Sequence, residues 1–148
     1  MITEEIGLWV ILCTAVSVVK SWETTLDYMN IERRSSWPVG TSKGQKRAAE
    51  YVRKQVPEAN ITVMKLDLTA FASIRSFAEE LLATQPHIHY LINNAAVGAC
   101  PKWKTNDGFE LQFGVNYLGH FLLTNLLMER IKASAPARII NLGSIAHI

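Results

Sequence analysis

The residues whose types and spacing could do chemistry are Asp67, the run Asn93, Asn94, Ala95 and Ala96, then Asn116 and Ser144. Two adjacent amides can tie neighbouring strand ends together, and two small alanines leave room for a ligand to approach the backbone. Asn116 falls inside a helical pattern, where an amide is a mediocre helix former and can instead bond backbone groups. These residues matter only if the surrounding elements bring them to one place.

The elements from residue 41 onward are well marked. Ser42 can cap a helix over 42–56 that ends at Pro57, and residues 61–66 alternate as a strand. Thr69 is read as the cap of a second helix with Ile74, Phe77, Ala78, Leu81 and Leu82 on one apolar face before Pro86. A short apolar strand over 89–92 runs straight into Asn93. A long helix from about Asp107 to Lys132 then places Phe109, Phe113, His120, Leu123, Leu127 and Ile131 at spacings of three, four and seven. Pro136 stops it, and 138–142 forms the last strand.

Strands and helices therefore alternate, which predicts an α/β fold with parallel βαβ units and helices on both faces of the sheet. Ligands of such sheets lie beyond the carboxyl ends of the strands. Asp67, Asn93, Asn94 and Ser144 are the polar residues expected just there. For Asp67 the bland alternative is a turn acid ahead of the Thr69 cap, for Asn116 a polar position on a helix face. His147 reads as a surface histidine rather than a catalytic base.

Composition bounds the other possibilities. The 148 residues, 49% hydrophobic and 19% charged, are enough for one domain with a substantial core. Fifteen Lys and Arg against thirteen Asp and Glu leave a net charge of +2, too diffuse for a nucleic-acid surface. Cys13 and Cys100 form no CxxC or Cys/His cluster, so neither a disulfide framework nor a metal site is expected.

Residues 6–19 are almost uninterrupted apolar sequence. Glu4 and Glu5 precede them and Lys20 follows, the reverse of a secretory signal. At about 14 residues the run is short of the roughly 20 that cross a bilayer squarely. Two readings stay open: a short membrane anchor with the remainder facing the cytosol, which is preferred, and a buried strand rich in Trp, Val, Ile and Thr. The domain division expected is 1–20 for the anchor-like segment and 21–148 for the remainder.

From Gly40 to Ile148 the chain resembles the short-chain dehydrogenase/reductase family, and within it the membrane-associated retinol dehydrogenase-like group. The resemblance is carried in order by Leu66-Asp67-Leu68, Asn93-Asn94-Ala95, Trp103-Lys104-Thr105 to Gly108-Phe109, residues 112–121, and Arg138-Ile139-Ile140-Asn141 leading to Ser144. It implies a partial Rossmann-like, doubly wound parallel sheet preceded by a short hydrophobic segment. It also implies NADP or NAD as cofactor and a small hydrophobic alcohol or carbonyl, such as a retinoid, as substrate. By the same resemblance the location is a membrane, the endoplasmic reticulum with the domain facing the cytosol.

Roles follow residue by residue from that resemblance. Asp67 and the backbone of Leu68 address the adenine, Asn94 and Ala95 contact the cofactor, and Asn93 braces the sheet. Asn116 holds a water in a proton path, and Ser144 donates a hydrogen bond to the substrate oxygen. Ala96 stands where the family usually has Gly, and Gly143 where it often has Ser.

Two parts of the pattern are not found. The family's tyrosine lies about a dozen residues beyond the serine, with a lysine about four further on to lower the phenol pKa. Tyr28, Tyr51, Tyr90 and Tyr117 are followed at that spacing by Glu32, Gln55, Asn94 and Phe121. The glycine-rich phosphate loop is also missing, since Gly40 and Gly44 fall after the second strand position and Lys46 stands where another Gly is needed. Residues 23–27 resemble the first helix of the family, as if the first strand and its loop had been left out. Thr41 stands where this group often has an arginine for the 2′-phosphate of NADP, with Lys43 nearby.

Three readings result. The chain alone is an inactive or weak form of an NAD(P)-dependent oxidoreductase, or a non-catalytic membrane-associated partner of an intact relative, or a remnant. A missing central strand further requires either that 8–18 take its slot or that the sheet be interrupted.

Overall fold

Leu91 and Ile92 are both fully buried although they are adjacent in a strand and point to opposite faces, so the sheet they belong to is covered on both sides. The computed structural model describes residues 8–12, 16–19, 50, 53–54, 57, 59–98 and 100–143. Its strands are β1 (Leu8–Leu12), β2 (Val16–Val19), β3 (Ala59–Val63), β4 (Tyr90–Asn93) and β5 (Arg138–Asn141). They form one sheet of order β3-β1-β2-β4-β5.

Four strands run the same way. β1 is parallel to β3 and β4 is parallel to β5, while β2 runs antiparallel to both β1 and β4. Residues 8–12 and 16–19, within the run over 6–19 read from sequence as anchor or strand, are thus two antiparallel neighbours, called the hairpin below. The hairpin fills the gap between β3 and β4 that the missing first strand would leave. An unfilled gap would expose unpaired amides and carbonyls on two interior edges, and the ladders from Val63 to Asn93 remove both. The sheet is therefore continuous, and mostly rather than wholly parallel. Among the described residues no helix is long and apolar enough to cross a membrane.

Helix α1 (Phe71–Thr84) links β3 to β4, and a longer helical run links β4 to β5. That run comprises α2 (Leu111–Phe113), a π-helical stretch (Gly114–Gly119) and α3 (His120–Ala133). Because both crossovers shift the same way along the sheet, α1 and α3 pack side by side on one face. Ile74, Phe77, Ala78 and Leu81 of α1 meet Leu123, Leu127 and Ile131 of α3 over Leu91. Of the expected helix over 42–56, Glu50, Arg53 and Lys54 are described, in helical conformation, and Arg53 donates to the Ile61 carbonyl at 3.0 Å.

Several boundaries differ from the sequence reading. The strand expected over 61–66 ends at Val63, although Met64, Leu66 and Leu68 continue into the core, the last of them within a turn. Thr69 does not cap α1, which starts at Phe71 after Ala70. The Phe71 N–H instead donates to Asp107 Oδ2 at 2.8 Å, so the cap comes from a loop far along the chain. The long helix starts not at Asp107 but after Glu110, whose carboxylate accepts from the Gln112 and Phe113 amides at 2.9 and 2.7 Å. Those two bonds, the Phe113 one foremost, hold the Glu110 carboxyl below its ordinary pKa.

The far end of α1 is capped just as remotely. Arg130 of α3 donates to the Gln85 and Leu82 carbonyls, groups that the end of a helix leaves without partners. Ser134 accepts from the Ile88 N–H at 2.9 Å while donating to the Arg130 carbonyl at 2.7 Å.

Val18 pairs with Ile11 on one side and Leu91 on the other. Val18→Pro removes a donor from the middle of the sheet, where proline is not tolerated. Thermal unfolding of the variant is expected to show a clearly lowered midpoint. An unchanged midpoint would mean that the hairpin does not hold the sheet together and would favour the anchor.

Candidate active site

The carboxyl end of β4 is where the site begins. Asn93 is 5% exposed and lies on the same strand face as Leu91, toward α3. Its Nδ2 donates to Asn141 Oδ1 at 2.8 Å and to Thr124 Oγ1 at 3.1 Å. One amide group thus ties β4 to β5 and both to α3. The Leu142 N–H adds a bond to the Asn93 carbonyl at 3.1 Å.

The chain after β4 is gripped by the helical run. Asn116 Oδ1 accepts from the Val97 N–H at 2.8 Å and its Nδ2 donates to the Val97 carbonyl at 2.9 Å. Both ends of the amide are engaged with backbone. One turn on, His120 Nε2 lies 2.8 Å from the Ala95 carbonyl oxygen. A carbonyl can only accept, so Nε2 carries the proton in the neutral ring.

His120 is buried, and desolvation pushes its pKa below 6.5, with the Ala95 carbonyl working in the opposite direction. Its Nδ1 has no hydrogen-bond partner among the described residues. Neither has Asn93 Oδ1.

Gly119 brings in the second loop. A Cβ built there would lie 3.1 Å from the Leu68 carbonyl oxygen and 3.2 Å from the Leu68 Cβ and Cδ2. The helical run can therefore rest directly against the chain that follows β3. Gly114 serves the same purpose on the other side, where a Cβ would overlap Thr105 Cγ2 at 2.3 Å. These glycines bracket the π-helical stretch, a geometry that recurs at functional sites.

Asp67 is engaged locally. Its Oδ1 accepts from the Thr69 N–H at 2.8 Å and from the Thr69 hydroxyl at 2.7 Å, while the Asp67 N–H donates to Ser73 Oγ at 3.0 Å. This is the turn-acid arrangement weighed in the sequence, and it leaves Oδ2 able to accept from a ligand amino group. Because β3 ends at Val63, Asp67 stands several residues past the strand rather than against its end.

Of the residues singled out from sequence, Leu68 and Ala95 are thus gathered by one helical segment, with Asn116 part of that segment. Asn94 lies on the same loop as Ala95. Ser144 and His147, together with Thr41 and Lys43, lie outside the described residues. Sequence reasoning missed Gly119, Thr124, Asn141 and the role of His120 as a loop contact. The signal available was the spacing of Asn116, His120 and Thr124, four residues apart on one helix face.

A short chain dehydrogenase family model matches residues 37–147. The chain belongs to that family. It is 54% identical over 101 residues to Retinol dehydrogenase 13 of Mus musculus, covering 68% of this chain and 30% of that protein. With Retinol dehydrogenase 12 of Mus musculus the identity is 57% over 106 residues, covering 72% and 33%. The human Retinol dehydrogenase 12 is 54% identical over 105 residues, covering 71% and 33%. The chain spans no more than 33% of the length of these curated relatives.

Solved structures agree on the fold. A complex of Pseudomonas aeruginosa RhlG with NADP superposes with a TM-score of 0.57 at 25% identity, over 72% of this chain and 43% of that one. An uncharacterised protein from Mycobacterium paratuberculosis gives 0.53 at 38% identity, over 68% and 34%. A metagenomic short-chain oxidoreductase with NADP gives 0.61 at 21% identity, over 72% and 48%, a likeness of fold alone. The Rossmann-like α/β architecture read from the sequence is thereby established, as a partial sheet.

Two outcomes test this geometry. Gly119→Ala must displace the helical run from Leu68 and is expected to cost about 1–3 kcal/mol in urea unfolding; no loss would mean the approach is looser than described. His120 has a folded-state pKa below its unfolded 6.5, so its stabilising neutral form is fully present above pH 6.5 and its contribution is lost as pH falls below that value. Stability measured from pH 7.5 to 5 should decline over that window in the wild type, and less steeply in His120→Gln. Equal slopes would contradict the burial of the imidazole.

Proposed function

We propose that this chain carries the strand-end framework of an NAD(P)-dependent oxidoreductase for a small hydrophobic alcohol or carbonyl such as a retinoid, and has little or no activity alone. The observation that supports it is the grip of Asn116, Gly119 and His120 on the two loops bearing Asp67, Leu68, Asn94 and Ala95. Similarity to retinol dehydrogenases supports the substrate class, and the NADP complex of RhlG supports the cofactor.

The described residues fit the adenosine end of such a cofactor. Asp67 offers Oδ2 to an amino group, the Leu68 backbone flanks it, and Ala95 gives the ribose a small neighbour. A bound nicotinamide would supply or accept the hydride. Ser144 would direct a hydroxyl at the substrate oxygen and Asn116 would order water beyond it. With both ends of its side-chain amide taken by Val97, Asn116 would do so through its backbone rather than its side chain.

The proposal of low activity concerns these 148 residues by themselves: none of their four tyrosines has a lysine four residues on, the pairing that would let a phenol exchange a proton with an alcohol. The sequence also offers no glycine-rich run for a pyrophosphate, since Gly40 and Gly44 are followed by Lys46 where another Gly is needed. A membrane location through residues 6–19 belongs to a state in which the hairpin is outside the sheet.

A second reading, a non-catalytic partner of an intact relative, draws on one observation. Phe113, Tyr117 and Phe121 are 51%, 54% and 57% exposed and stack along one helix face.

The purified chain is to be assayed with all-trans-retinol and NAD or NADP, and with retinal and NADPH. The expected result is no product above the protein-free rate, whereas turnover near the ordinary enzyme scale of about 1–10³ s⁻¹ would overturn the assignment of low activity. Co-purification with a full-length relative, abolished by Tyr117→Glu, would shift the balance to the second reading.

A further inference from the structure

The imidazole of His120 is the one buried titratable group on the helix face that touches both loops, and nothing above gives it a part in the chemistry. Its position is specific. Asn116, one turn earlier, holds Val97 from both sides, and Thr124, one turn later, holds Asn93. Between those two anchors His120 adds a contact to the loop 94–97, at the Ala95 carbonyl. Gly119 presses the same turn against Leu68. A shift of the Ala95 peptide would therefore move the backbone of Asn94 and Ala95, the pair read as cofactor contacts.

We propose that His120 is a positioning residue: its Nε2–H, donated to the Ala95 carbonyl, sets the path of the loop 94–97 and thereby the place of the cofactor-facing backbone. This rests on the reading of Asn94 and Ala95 as cofactor contacts. The ring touches neither cofactor nor substrate and acts through the Ala95 peptide.

A neutral imidazole suits this task better than an amide or a cation. It is rigid, so one hydrogen bond fixes both the distance and the direction of the carbonyl. Burial keeps it neutral near pH 7, and the proton must then sit on Nε2 for the bond to exist.

The test uses the whole chain labelled with ¹⁵N. A long-range imidazole ¹H–¹⁵N spectrum of the wild type at pH 7.5 is expected to show His120 as the Nε2–H tautomer; the Nδ1–H tautomer would overturn the proposal without any substitution. Amide hydrogen exchange is then compared in His120→Met, which removes the donor, and His120→Gln, which can keep one. His120→Met should accelerate exchange at Val97 at least tenfold while amides of Ile74 to Leu81 keep their wild-type rates, and His120→Gln should restore protection. Uniform acceleration in both variants, or none in either, would contradict it.

NADPH binding, followed by nicotinamide fluorescence, separates this proposal from the functional reading. A rise in Kd of tenfold or more in His120→Met, recovered in His120→Gln, supports both. No NADPH binding by the wild type removes the cofactor reading and with it the cofactor half of the proposal, while the exchange result still decides whether His120 sets the loop.

Discussion

The amide of Asn93 is the interaction on which the rest of the structure depends. It is buried at the end of β4, and its two N–H donors reach β5 through Asn141 and α3 through Thr124. Buried polar groups must be paired or cost stability, so this arrangement admits few alternatives in register or helix placement. Asn93 and Asn141 face each other only when β4 and β5 pair as they do, and Thr124 is within reach only when α3 lies across both. Once α3 is held there, Asn116, Gly119 and His120 fall against the loops that follow β3 and β4.

The same constraint explains why an apolar segment at the start of the chain can enter the middle of the sheet. With β4 and β5 fixed to α3, and the chain just after β3 tethered to α1 through Met64, Leu66 and Leu68, the two halves of the sheet face each other across an open slot. Residues 8–12 and 16–19 satisfy both interior edges as an antiparallel pair, since the three residues between them in sequence are too few for the crossover that a second parallel strand would need.

Much of the fold was legible in the sequence, for reasons particular residues make clear. Ile74, Phe77, Ala78 and Leu81, like Leu123, Leu127 and Ile131, recur at the α-helical period because each set meets the core. The seven-residue spacing puts Phe113 on the same stripe as His120, yet Phe113 is exposed. The π-helical stretch between them changes the phase, so that spacing no longer returns to one face. Met64 and Leu66 prolonged the apparent strand because burial, not ladder pairing, selects apolar residues there. Asp107 and Arg130 were opaque since their partners, Phe71 and the end of α1, are distant in sequence. For the site, the motif residues named the loops, but only three-dimensional contacts reveal that a single helical segment aligns them.

The most direct measurement is a double-mutant cycle at Asn93 and Asn141 in urea unfolding, using Asn93→Ala, Asn141→Ala and the pair. If the Asn93 amide joins β4, β5 and α3 as described, the two substitutions should be coupled by about 0.5–3 kcal/mol. Free energies that simply add, within about 0.3 kcal/mol, would show that the two side chains do not act on each other, and the account of how the site is aligned would fail.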